Sequence, residues 1–252
     1  MRRPPSRDLT YAFGPGPLSP AIKALVIANV AMYVVNYLIP AGIASQLGGL
    51  LGLRPVDVVL HGRLWQPVSY MFLHGSLSHI LFNMLALWMF GTELERMWGT
   101  PFFVRYYFAT GIAAAITTIA VSALPFDFAV ALRSTVTIGA SGAIYGLLLA
   151  YGLTFPNRPI YIYFVFPIPA KYFVMIMGAI SLLSAIGDTG AGIAHITHLG
   201  GLVAGYALLR GRRFRPMEAA RYRYLRWKME RARKKFGVYS GGRKDDWDKH
   251  VH

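Results

Sequence analysis

The chain contains no cysteine. This excludes a disulfide framework, thiol catalysis and zinc sites of the cysteine type. Charge is scarce too: Asp, Glu, Lys and Arg make up 15% of the 252 residues, well under the roughly 25% of typical globular chains. Acids are scarcest, 11 against 26 Lys+Arg, for a formal net charge of +15. No His-Glu-x-x-His run occurs, so no carboxylate stands between paired histidines as a metalloprotease helix requires. The remainder is apolar, with 55% hydrophobic residues and a mean hydropathy of +0.42. An oily chain that is also basic reads as a membrane protein with basic ends. From Arg210 onward lie 15 of the 26 basic residues and 5 of the 11 acids.

Crossing a bilayer as a helix takes roughly 20 mostly apolar residues, with a range of about 17 to 25. Six stretches fit that reading: 21–39, 79–97, 102–124, 140–155, 171–187 and 193–210, the fourth and fifth being short. The segment 40–78 has mixed polarity and suits a loop lying in the interface. Residues 1–20 are basic and Pro/Gly-rich, a disordered lead in which no cleavage site follows an apolar core, so a removed signal peptide is not expected. Cytoplasmic flanks carry the Lys/Arg excess. With the N-terminus inside, 23 basic residues fall inside and only Arg54, Arg63 and Arg133 outside. The expected fold is therefore an all-α, six-span bundle over 21–210. Both termini are cytoplasmic, and the host bilayer is expected to be the plasma membrane.

This topology brings the starts of the second, fourth and sixth spans to the outer side. Ser141 opens the fourth, His79 opens the second, and His198 lies about a turn into the sixth. His79 and Asn83 share a helix face, as do Ser141 and Tyr145. His198 continues into Gly201 and Gly205, and Gly142 with Gly146 makes a matching small-residue stripe beside the serine. Such stripes let membrane helices approach closely. A serine in this setting either packs helices or does chemistry, and a Gly/Ala-rich helix also suits a transporter. The joint occurrence favours chemistry, because ionisable groups inside spans are costly and functional by default. A nucleophilic serine needs a base within roughly 2.6–3.2 Å. No acid lies in the apolar part of the fourth or sixth span, so a Ser-His dyad is expected rather than a triad. His79, Asn83 and the Ser141 amide are candidate oxyanion donors. Glu93 and Glu95, at the inner end of the second span, read as a cap or as ion-pair partners of Arg96 or Arg105.

Four pieces in order, "HGSLSHILFN" (74–83), "GTELERMWG" (91–99), "GASGAIYG" (139–146) and "HLGGLVAG" (198–205), resemble the rhomboid family of intramembrane serine proteases. The likeness covers about 60–210. It implies Ser141 as nucleophile, His198 as general base, and His79 and Asn83 in the oxyanion hole. Gly139 would open the turn into the serine helix, and Tyr145 would pack on the catalytic histidine. Of the two neighbouring histidines, His198 rather than His195 stands in the family's phase with Gly201 and Gly205. The interfacial loop of rhomboids often carries a Trp-Arg pair. Here it reads Trp65-Gln66, a departure that removes a cation. The implied substrates are single-span transmembrane proteins, with no cofactor and no metal.

Residues 211–252 form a basic tail, with an amphipathic helix expected over 216–236. Its charge suits an anionic inner leaflet. A merely solvated extension is the plain alternative, and nucleic-acid binding has no recognition motif to support it. Two rival functions stand beside the protease. One is a catalytically inactive rhomboid-like scaffold that binds transmembrane clients. The other is a metal site built from His74, His79, His195 and His198, which lacks accompanying carboxylates.

Overall fold

The computed structural model describes residues 14–125, 127–162, 165–187, 192–213 and 231. The basic lead before residue 14 and, Arg231 apart, the helix expected over 216–236 lie outside the described residues. A compact unit ends at Leu209 and a second begins at Arg210; the site lies wholly in the first.

The helix α1 (Pro20–Leu38) opens with proline at its first position, where a missing N–H costs nothing. Its free N–H groups are met from another helix. Glu95 accepts from the amides of Ala21 at 2.9 Å and Ile22 at 3.2 Å, and from the Ser19 hydroxyl. The Thr100 hydroxyl donates to the same carboxylate at 2.6 Å. Of the two acids at this end, Glu95 is thus the cap. Glu93 instead pairs with Arg158 and accepts from the Tyr151 hydroxyl at 3.4 Å.

The segment expected as an interfacial loop is itself largely helical: α2 (Ala41–Leu51), α3 (Pro55–His61), α4 (Gln66–Ser69) and a 3₁₀ turn over Tyr70–Phe72. The last carbonyls of a helix have no intrahelical partner, and side chains meet those of α2. Arg63 donates to Gly49 at 3.1 Å, Trp65 to Leu50 at 2.9 Å and Ser69 to Leu51 at 2.6 Å. Gln66, fully buried, donates to Gly49 and Leu50 and accepts from the Arg54 amide at 3.0 Å. The Gln66 amide of the Trp65-Gln66 pair thus works both as donor and acceptor. Arg63 also bonds the buried Asp57 at 2.8 Å.

The second apolar stretch forms α5 (Leu77–Ala86), a π turn over Leu87–Gly91 and α6 (Thr92–Trp98). The helix α7 (Thr100–Ser122) is the axis of the core, burying Phe103, Tyr107, Thr110, Ala114 and Thr118 along one stripe. After it come α8 (Asp127–Ser134) and α9 (Ser141–Thr154). A two-stranded antiparallel hairpin follows, β1 (Pro159–Ile162) on β2 (Phe166–Pro169), a departure from the all-α expectation. Finally come α10 (Ala170–Gly187) and α11 (Gly192–Arg213). Among the described residues three helical runs are long and apolar enough to cross a membrane: Pro20–Leu38, Leu77–Trp98 and Thr100–Ser122. The serine helix, at 14 residues, is shorter.

Candidate active site

The helix α9 is buried on all sides from Gly142 to Leu148. Small residues make this possible, because each admits a neighbour's backbone or side chain. On one side lies α7, whose Tyr106 hydroxyl donates to the Gly146 carbonyl at 2.9 Å. Beside α7, against the same glycines, lies α11. A Cβ on Gly201 would run into the Gly142 carbonyl oxygen, and one on Gly205 would lie 3.0 Å from the Gly146 Cα. The backbones of α9 and α11 therefore touch at two levels a helical turn apart. The two glycine stripes singled out in the sequence are that contact.

The crossing sets what happens one turn outward. Ser141 is the first residue of α9, and His198 stands one turn before Gly201. The side-chain atoms His198 Nε2 and Ser141 Oγ are 2.8 Å apart. The Tyr145 ring stacks on the imidazole, with centroids 4.2 Å apart and planes 6° from parallel. His195 meets His198 edge-on at 5.5 Å, and it is His198 that bonds the serine. The Nδ1 atom of His198 is buried with no hydrogen-bond partner among the described residues. Among the described residues no carboxylate bonds that nitrogen, and the Tyr145 ring is the broad flat surface the imidazole rests on. One residue of this cluster escaped sequence reasoning: Ser181 of α10, whose hydroxyl donates to Tyr145 Oη at 3.1 Å. A lone serine in an apolar run gives no signal of its own.

Ahead of Ser141 the chain makes a turn that only glycine tolerates. Gly139 has φ of +116°, a backbone region that L side chains rarely enter. A Cβ there would also lie 2.6 Å from His79 Nε2 and 3.6 Å from Asn83 Nδ2. His79 and Asn83 of α5 thus flank the peptide that delivers the serine. Asn83 Nδ2 is buried and unbonded among the described residues. His74 meets His79 edge-on at 4.9 Å. Among the described residues no three His, Cys, Asp or Glu side chains converge as metal ligands would.

The turn is strapped from outside by the 40–76 segment. Leu53 and Thr137 exchange both backbone hydrogen bonds, at 2.9 and 2.8 Å, and the Gly139 amide donates to the Tyr70 carbonyl at 2.9 Å. Tyr70 is anchored in turn by its hydroxyl, which donates to the Gly111 carbonyl at 2.8 Å.

A bundle with membrane-length helices and a serine bonded to a histidine at a glycine-mediated crossing defines a class of membrane protein built around a hydroxyl–imidazole pair. The chain belongs to the rhomboid family, for the Rhomboid domain matches residues 61–212. It is an integral membrane protein of that family. It is 31% identical to Rhomboid protease GluP of Bacillus subtilis over 162 residues, 62% of this chain and 27% of that one. It is 29% identical to Rhomboid protease AarA of Providencia stuartii over 198 residues, 72% of this chain and 68% of that one. With Rhomboid protease GlpG of Yersinia enterocolitica it shares 30% identity over 193 residues, 75% and 60% of the two chains. The chain thus spans little more than a quarter of GluP's length.

Proposed function

We propose that the protein is an intramembrane serine endopeptidase that cuts transmembrane helices near their outer ends with a Ser141–His198 dyad. The observation that carries this reading is the 2.8 Å contact between Ser141 Oγ and His198 Nε2, within the reach that base activation of a serine needs. The substrate helix unwinds near its outer end and lays a peptide carbonyl over Ser141. His198 Nε2 takes the hydroxyl proton as Oγ attacks the carbonyl carbon. Negative charge moves to the carbonyl oxygen, where the Ser141 amide, His79 and Asn83 donate to it. The free N–H groups at the start of α9 add the positive end of a helix dipole. The amine then leaves with the proton from His198. Water, deprotonated by the same imidazole, releases the acyl group and regenerates Ser141.

Helix length supports cleavage below the water line. Fourteen residues of α9 rise about 21 Å, against a hydrocarbon core of about 30 Å. With its inner end at the inner face, its first residue is submerged. The six-span arrangement with both termini cytoplasmic belongs to the same proposal, as does contact of the basic tail with an anionic inner leaflet. The test is activity-based labelling with a fluorophosphonate, alongside cleavage of a reporter helix in liposomes. The wild-type chain should label at Ser141 and cut, and Ser141→Ala should do neither while folding normally. A wild-type chain that binds transmembrane clients without labelling would be a scaffold, not a protease.

A further inference from the structure

The helix α10 meets the rest of the fold through few side chains. Among its described residues only Ala170, Val174 and Ser181 are buried, while Met175, Ile180, Leu182 and Leu183 face outward. Val174 fills the space above Gly152 of α9, where a Cβ would lie 2.7 Å from its Cγ2. Seven residues further on, at the outer end, the contact is polar. Ser181 is fully buried and its hydroxyl donates to Tyr145 Oη at 3.1 Å. An apolar side chain there would need no partner, whereas a buried hydroxyl must find one. The partner it finds is the ring that lies flat on the His198 imidazole.

We propose that Ser181 is a positioning residue: through Tyr145 it sets the orientation of His198 toward Ser141, so that the catalytic imidazole depends on how α10 is seated. This rests on the reading of the Ser141–His198 pair as a protease dyad. The Tyr145 oxygen lies on the axis about which its ring twists, so the Ser181 bond fixes the ring's tilt and far end rather than its twist. Tilt matters here because the stacked Tyr145 ring is the flat surface the imidazole rests on, with Nδ1 unbonded among the described residues. A small tilt moves Nε2 away from Oγ, and a proton transfer across 2.8 Å is sensitive to such a shift.

The test uses the full-length chain in liposomes and measures both the fluorophosphonate labelling rate of Ser141 and cleavage of a reporter helix. Ser181→Ala should slow labelling and lower kcat by about three- to tenfold, the worth of one hydrogen bond, with KM within about twofold of wild type. Tyr145→Phe, which keeps the stacked ring and loses only the acceptor, should slow both by a similar factor, and the double variant should be no slower than either. Ser181→Thr restores the donor and should restore most of the rate. Leu183→Ala, on the outward face, should label as wild type does. If Ser181→Ala does not fold, Ser181→Cys, of similar shape and weaker donor strength, should be slowed to a lesser degree. Wild-type rates in the folded Ser181 variant overturn the inference and leave the protease reading standing. So do single effects that multiply in the double variant. A wild-type chain that does not label at Ser141 overturns both.

Discussion

At the residue scale, the site is held by what is missing from side chains as much as by what is present. Gly201 has no room for a methyl group, since its neighbour is the Gly142 carbonyl oxygen. Gly201→Ala must push α11 off α9, and it carries His198 with it. We expect at least a hundredfold loss of reporter cleavage, together with a lower melting temperature in micelles. Asn83 is different: its Nδ2 is buried, unbonded among the described residues and beside the Gly139 turn. Asn83→Ala should leave stability nearly unchanged and lower kcat by about 10²–10³, the loss found for one oxyanion donor, while Ser141 still labels. Both residues, like Ser141 and His198, stood out in the sequence because type and spacing survive translation into a helix face. Ser181 did not, because its meaning lies entirely in which ring it touches.

At the element scale, distant pieces complete each other's unsatisfied ends. The N-terminus of α1 is capped by Glu95, some seventy residues later. Glu95→Ala strips acceptors from two amides and two hydroxyls. It should destabilise the fold by about 2 kcal/mol or more, read from the unfolding midpoint in mixed micelles. The glutamate's capping role was one of two roles legible in the sequence; its partner helix was not, because nothing local records which N-terminus lies within reach. The 40–76 segment shows the same limit. Its short helices are stabilised by Arg63, Trp65, Gln66 and Ser69 closing the end of α2, contacts of tertiary origin that mixed polarity alone does not reveal. The β1–β2 hairpin also went unread, its alternation being only four residues per strand.

At the scale of the whole molecule, the absence of cysteine makes topology directly measurable. Single substitutions in an otherwise cysteine-free chain give unambiguous labelling with an impermeant maleimide. Ser134→Cys, on an exposed position of α8, should label in intact cells, whereas Ser6→Cys and Ser240→Cys should label only after permeabilisation. The opposite pattern would invert the orientation and place the serine's end of α9 on the inner side.

The sequence by itself determined the medium, the basic ends and the small-residue stripes, and it singled out Ser141, His198, His79 and Asn83. Each of these follows from composition, from a helical period or, for His198 over His195, from the family resemblance, and all are read along one segment at a time. Only the tertiary structure decided that the stripes of α9 and α11 meet backbone to backbone, bringing Oγ and Nε2 to 2.8 Å. It also decided that Leu53 and Tyr70 strap the Gly139 turn and that Ser181 holds the far end of Tyr145. Those contacts join residues dozens of positions apart, and what selects them is the close packing of whole helices, in which each approach is settled by every other.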